Sequence, residues 1–183
     1  MKFLRLLPLF IALLIAGCSE KSTDWHENGQ KKGEYTYKDG KMHGPFTEWH
    51  ENGQKAEDGT YKDGKEDGLF TLWYENGQTK REGTWKDGKE DGPFTLWHEN
   101  GQKMSEGTYK DGKMHGIFRS WYEDGQKRTE RTWKDGKRYG PMTVWHENGQ
   151  KRSELVWKDD EPIFARFWNR AGEEVLTSED ARK

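Results

Sequence analysis

Glu27-Asn28-Gly29-Gln30 and Lys38-Asp39-Gly40-Lys41 are the two short runs that decide how this chain folds. The first recurs from Glu51, Glu75 and Glu99, as Glu123-Asp124-Gly125-Gln126, and from Glu147, always 24 residues apart. The second recurs from Lys62, Lys86, Lys110 and Lys134 at the same interval, so two turn signals alternate along the chain. Asn-Gly and Asp-Gly favour a two-residue type I′ hairpin turn, because both central residues need positive φ and these residues tolerate it best. Between turns lie segments of about nine to eleven residues rich in Thr, Trp, Tyr and Phe. Such segments suit pleated strands and leave no room for a capped helix with two connections.

The spacing therefore predicts an all-β fold: a single-layer antiparallel meander of tandem hairpins, elongated and twisted or curved. About thirteen strands at ~4.8 Å would make a slab on the order of 60 Å long. Gly44, Gly68, Gly92, Gly116 and Gly140 recur inside alternate strands, and Pro45, Pro93 and Pro141 follow three of them, which predicts that pairing begins after these positions or is interrupted there by a bulge, with the sheet curving along that line. With two-residue loops at both turns, Tyr61 falls opposite Gly44 and shares a face with Phe46, Phe70 and Leu72. Thr47, Thr71, Trp49 and Trp73 then take the other face. A three-residue loop at either turn would flip side chains between faces, so the register stays open at this point. Each unit needs its neighbour to cover its rings, so stability should grow with repeat number.

Composition agrees with a thin, ordered structure. Charged residues make up 35% and aromatics 14%, with a net charge of −2. Disordered chains carry few aromatics, and a thick two-layer core would need more Leu, Ile and Val than follow residue 17.

The N-terminus reads as a targeting segment: Lys2 and Arg5, an apolar run from Leu6 to Ala16, then the only cysteine. The run is shorter than the ~20 residues that span a bilayer, although a transmembrane anchor or a generic signal peptide with an incidental cysteine are the alternatives. Ile15-Ala16-Gly17-Cys18 resembles the lipobox of bacterial lipoproteins. That resemblance implies a cleaved signal peptide over 1–17 and a lipid-modified, membrane-attached Cys18. Ser19 in the next position, rather than Asp, implies outer-membrane placement where there is an outer membrane. With Cys18 consumed, no thiol remains for a disulfide, a nucleophile or a zinc site.

An aromatic, then Glu-Asn-Gly-Gln, Gly-Thr-Tyr or Gly-Thr-Trp, Lys-Asp-Gly-Lys and Gly-Pro-Phe together closely resemble MORN repeats, in particular the bacterial variant. Arg131 and Leu155 depart from the pattern, standing where other units have Gly59, Gly83 and Gly107. The resemblance implies a single-layer sheet that binds proteins or membrane lipids, and it supplies no catalytic residue. The chain is also similar to a family labelled YwqK-like antitoxins, which would imply neutralising a toxin partner. The expected organisation is 18–24 as lipidated N-terminus and short linker, 25–168 as about six repeats with the last incomplete, and 169–183 as a cap or tail. Within the last stretch, Glu173 to Lys183 reads as a short strand or polar tail.

Candidate binding residues are the ladder aromatics: Trp49, Trp73, Trp97, Trp121 and Trp145 in one register, Tyr61, Trp85, Tyr109 and Trp133 in the other. Intramolecular packing is the plainer use of these rings, because a thin sheet has little else to bury. If some are exposed, a protein partner is the first expectation, and stacking on carbohydrate or an envelope polymer is possible. His26, His50, His98 and His146 recur beside tryptophans but are interrupted by Tyr74 and Tyr122, which argues against a metal row. Glu66-Asp67 and Glu90-Asp91 lack calcium-loop spacing. No unit departs from the repeat to build one preorganised cluster, so no enzyme activity, cofactor or metal is expected. A slightly acidic mature chain is unsuited to nucleic acid.

Overall fold

The computed structural model describes residues 18–182. The signal peptide expected over 1–17 lies outside them. Seventeen strand segments form one antiparallel sheet. Ser19–Trp25 pairs with Lys31–Lys38, which pairs with Lys41–Met42 and Gly44–Trp49, and the meander continues to Glu161–Trp168 and Glu174–Val175. Ser19 already begins the first strand, so the stretch expected as a linker after Cys18 carries backbone pairing instead. At the other end a 3-10 turn, Asp180–Arg182, tucks in Ala181. Among the described residues no helix is long and apolar enough to cross a membrane.

The two turn signals fold differently. Asp39 and Gly40 have φ of 50° and 72°, the positive pair of a type I′ turn, and Lys38 pairs with Lys41 across it. In the last unit Asp160 replaces glycine yet still adopts φ 70°. The backbone N–H and Nε of Arg138 donate to its carboxylate at 3.0 and 3.1 Å. Asp tolerates this left-handed conformation better than most residues, and here its side chain is held as well.

Glu27-Asn28-Gly29-Gln30, expected as a two-residue turn, is a three-residue loop. The Gly29 N–H donates to the His26 carbonyl at 3.0 Å, and the His26 N–H donates to the Gln30 carbonyl at 2.8 Å. Only Gly29 has positive φ. This is a type I turn closed by a glycine bulge. The slip is corrected at once: Trp25 pairs with Lys31 but Asp24 with Gly33, leaving Lys32 as an extra residue. Five further units repeat the correction, for example Trp49 with Lys55 and Glu48 with Glu57 around Ala56. Because loop and bulge each shift the register by one, their effects cancel, and the strands keep the faces a two-residue loop would have given them.

A second bulge lies at the recurring inner glycines. Tyr37 pairs with Met42 and Glu34 with Thr47, so His43 and Gly44 are a two-residue insertion that leaves face parity unchanged. The final unit is one residue shorter, and its bulge is reduced to one residue, between the pairs Trp157 with Pro162 and Val156 with Phe164.

Neighbouring repeats are also stitched at both ends of the strands. On the Asp-Gly side, the Gly64 N–H donates to the Met42 carbonyl, Gly88 to Glu66, Gly112 to Glu90 and Gly136 to Met114, all at 2.8–2.9 Å. On the Asn-Gly side, the Asn28 amide donates to the Glu51 carbonyl, Asn52 to Glu75, Asn76 to Glu99 and Asn100 to Glu123, at 2.7–3.0 Å. Each asparagine also accepts from the backbone N–H two residues on, as Asn28 does from Gln30. Repeats of this kind hold together by such nearest-neighbour bonds rather than by a central core.

Candidate binding faces

The two sets of ladder aromatics lie on opposite faces of the sheet. Tyr61, Trp85, Tyr109 and Trp133 share one with the phenylalanines. Phe46, Phe70 and Phe94 are buried to 5%, 3% and 6% exposure, as deep as a single layer permits. Phe46 and Phe70 lie 5.6 Å apart by ring centroids, and the three rings fall 4.9–5.7 Å from Tyr61, Trp85 or Tyr109, in tilted or edge-on contacts. Such contacts stabilise by roughly 0.5–1.5 kcal/mol beyond the area they bury. This phenylalanine face is closed over by its own rings.

Glycine makes that closure possible. A methyl group on Gly59 would sit 2.7 Å from the Phe70 ring, and one on Gly83 would sit 2.8 Å from Trp85. Arg131 and Leu155 occupy equivalent places, and there the following strand offers Met142 and Ala165 instead of phenylalanine. The Arg131 guanidinium lies over Phe118 and Trp133, at 4.4 and 5.1 Å. Burial there, and Arg138 nearby, lower its pKa from the usual guanidinium range.

Polar groups at the margin of this face are perturbed in the way burial dictates. Glu48 and Glu57 stand directly opposite each other on paired strands. Burial first, then Glu48 and Glu66, push the Glu57 carboxyl above the ordinary range. The Tyr35 hydroxyl donates to Glu48 at 2.9 Å, and burial and that carboxylate drive its pKa up. Burial also raises Tyr61 and Tyr109. Arg81 pairs with Glu90 and lies 5.1 Å over Trp85.

The other face carries Trp49, Trp73, Trp97, Trp121 and Trp145 in a row, all partly exposed. A lysine from the preceding repeat caps the ring in four cases: Lys31 over Trp49, Lys55 over Trp73, Lys103 over Trp121 and Lys127 over Trp145, at 5.2–5.4 Å. Each of these lysines also pairs with the carboxylate three residues on, Glu34, Asp58, Glu106 and Glu130, at 2.6–3.3 Å. Arg119, where Thr47, Thr71, Thr95 and Thr143 stand in other units, bridges Glu106 and Glu130 at 3.2 and 2.8 Å.

Beyond the threonine row runs a strip of Pro45, Leu69, Pro93, Ile117, Pro141 and Phe164, every one exposed. Register places all six against one row of the neighbouring strands: Pro45 opposite Thr60, Leu69 opposite Thr84, Pro93 opposite Thr108, Ile117 opposite Thr132, and Pro141 and Phe164 flanking Val156. Leu69, Ile117 and Phe164 are 58%, 48% and 48% exposed. The sequence reading missed this strip, although a Pro-or-aliphatic column at 24-residue spacing was present to find it.

The histidine column serves the backbone. Nε2 of His26, His50 and His146 donates to the carbonyls of Trp49, Trp73 and Trp168 at 2.8–3.0 Å, and His98 reaches Trp121 at 3.4 Å. Tyr74 and Tyr122 do the same with their hydroxyls, to Trp97 and Trp145 at 2.7 Å. Tyrosine thus replaces histidine as an equivalent donor. Where it does, a cation from the bulge position covers the ring, Lys80 over Tyr74 and Arg128 over Tyr122. Cys18 is exposed and unpaired, directly before the edge strand.

A search of curated proteins finds no match. The MORN repeat variant matches at residues 21–39, 42–63, 66–87, 90–111, 114–135 and 138–159, and the MORN repeat itself matches at 82–93 and 106–117. The six stretches together cover more than half of the chain and coincide with the hairpin units, so the chain belongs to the MORN repeat variant family.

Proposed function

We propose that this MORN repeat array is a membrane-anchored scaffold that binds another protein through its tryptophan-bearing face. The observation that carries the reading is the exposed strip of Leu69, Ile117 and Phe164 in line with Pro45, Pro93 and Pro141. The phenylalanine face spends its rings on itself, whereas this strip leaves apolar side chains that none of the described residues covers. A row of exposed apolar side chains, alternating with threonines along one face, suits a protein partner better than open water. Carbohydrate stacking is less well supported, because lysines cover a face of Trp49, Trp73, Trp121 and Trp145.

Anchoring belongs to the same proposal. A lipid on Cys18 would hold the edge strand Ser19–Trp25 directly at a bilayer, with no tether between them. Labelled palmitate should enter the wild-type protein and not Cys18→Ser, which should leave the membrane fraction. Partner binding is tested in cells with a photo-crosslinking residue at Ile117 or, on the phenylalanine face, at Glu90. One discrete adduct from position 117 and none from position 90 is the expected result. Equal adducts from both positions, or none from either, would refute the reading.

A further inference from the structure

Lysine is missing from one slot of the ladder on the tryptophan face. Position 79 is threonine, where the other units have Lys31, Lys55, Lys103, Lys127 and Lys151. The backbone register is unchanged: Thr79 pairs with Trp73 as Lys55 pairs with Trp49, and Glu82 pairs with Thr95 as Asp58 pairs with Thr71. Trp97 and Glu82, the ring and carboxylate that such a lysine would join, are both retained. Among the described residues Trp97 has no cation over its ring and Glu82 has no ion-pair partner. Lys80 is turned to Tyr74, and Arg81 lies on the opposite face with Glu90.

We infer that Trp97 and Glu82 form a receptor for the lysine side chain of a partner polypeptide. The chain itself shows the fit. Four times over, an ammonium sits 5.2–5.4 Å above a tryptophan centroid and 2.6–3.3 Å from a carboxylate held on the same backbone frame. A ring face and an anion together select a cation over a neutral apolar group. The pair shares a face with the strip: Glu82 stands opposite Thr95, two residues along its strand from Pro93, and Trp97 is two residues farther on. A partner seated on the strip therefore reaches the pair by extending across the threonine row. This inference deepens the proposed protein-binding role and rests on it.

The test uses the full chain in detergent micelles, labelled with 5-fluorotryptophan. Of its ten tryptophan resonances, that of Trp97 is assigned by its loss in Trp97→Phe. The probe is an N-acetylated, C-amidated tripeptide, Gly-Lys-Gly, and its control carries norleucine in place of lysine. The lysine peptide should shift the Trp97 resonance saturably and leave those of Trp49, Trp73, Trp121 and Trp145 in place, while the norleucine peptide moves none. Thr79→Lys, which installs the residue already used at the equivalent positions, should abolish the response. Glu82→Gln should weaken binding by about tenfold, or ~1.4 kcal/mol. An unmoved Trp97, an equal response to norleucine, or an undiminished response in Thr79→Lys would overturn the inference. Failure here with a persistent crosslink at Ile117 would leave the protein-binding reading standing. A Trp97 response without any crosslink would do the reverse.

Discussion

The side-chain amide of Asn100 donates to the carbonyl of Glu123, 2.8 Å away in the next repeat. One repeat later the same position is Asp124, which accepts from the Gln126 N–H but has no hydrogen to give to Glu147. The stitch along the Asn-Gly edge is therefore dropped once, and it resumes where Asn148 donates to the Arg170 carbonyl. Asp124→Asn should restore it. The expected gain is about 0.5–1.5 kcal/mol, the net worth of one such bond. Asn100→Asp should cost a similar amount, and denaturant titration of both variants reads the pair.

Histidine and tyrosine are interchangeable in their column only as donors. His50→Tyr should be nearly neutral, since Tyr74 makes the equivalent bond and the space beside His50 and Trp73 is open. His50→Phe keeps the ring but leaves the Trp73 carbonyl without its partner. Part-buried acceptors stripped of a donor cost about 1–2 kcal/mol. A melting temperature for His50→Phe equal to that of His50→Tyr would show that the ring, rather than the bond, is what the position requires.

Gly59 has ordinary backbone angles, so its requirement is one of space. Gly59→Ala should press into the Phe70 ring and lower stability by about 1–3 kcal/mol, as over-packing of a filled core does. Paired with Phe70→Met, the arrangement found around Arg131 and Met142, the alanine should be tolerated much better. A double-mutant cycle measured by chemical denaturation gives the coupling.

Much of this was legible in the residues. Asp39-Gly40 specified its turn outright, because few dipeptides accept positive φ twice. Asn28-Gly29 specified a reversal but not its form, and Tyr61, Phe46 and Trp49 nonetheless lie on the faces expected, since Lys32 and its equivalents undo the one-residue slip of the loop. The substitution of Arg131 and Leu155 for glycine was visible, while its reason was not: it depends on Met142 and Ala165 lying alongside, and only the register brings those residues together. The histidine column was harder still, because its acceptors are main-chain carbonyls and a carbonyl leaves no mark in sequence. Its one clue was the exchange with Tyr74 and Tyr122, the other side chain of that reach that carries a donor.

Acid should separate the two faces. Hydrogen bonds from Lys103 and Arg119 hold the Glu106 carboxyl below its ordinary 4.5, and those from Arg119 and Lys127 do the same for Glu130. Stability from these depressed carboxyls is fully present above pH ~4.5 and is lost as pH falls through their lower folded values. Arg119→Thr, which restores the residue of the other repeats, should cost up to about 1 kcal/mol at neutral pH and low salt. That cost should shrink in high salt and in acid. Glu57 has the opposite sign. Burial and the facing Glu48 raise its carboxyl, so its unfavourable contribution is absent below pH ~4.5 and develops as pH rises through its folded value. Glu57→Gln should therefore stabilise the neutral protein by about 0.2–1 kcal/mol, the scale of a like-charge pair directly across two strands, and give no gain in acid. Unfolding free energies of the two variants across the carboxylate range test both signs. A Glu57→Gln gain that persisted below pH ~3.5 would remove the electrostatic cause and leave packing as the explanation.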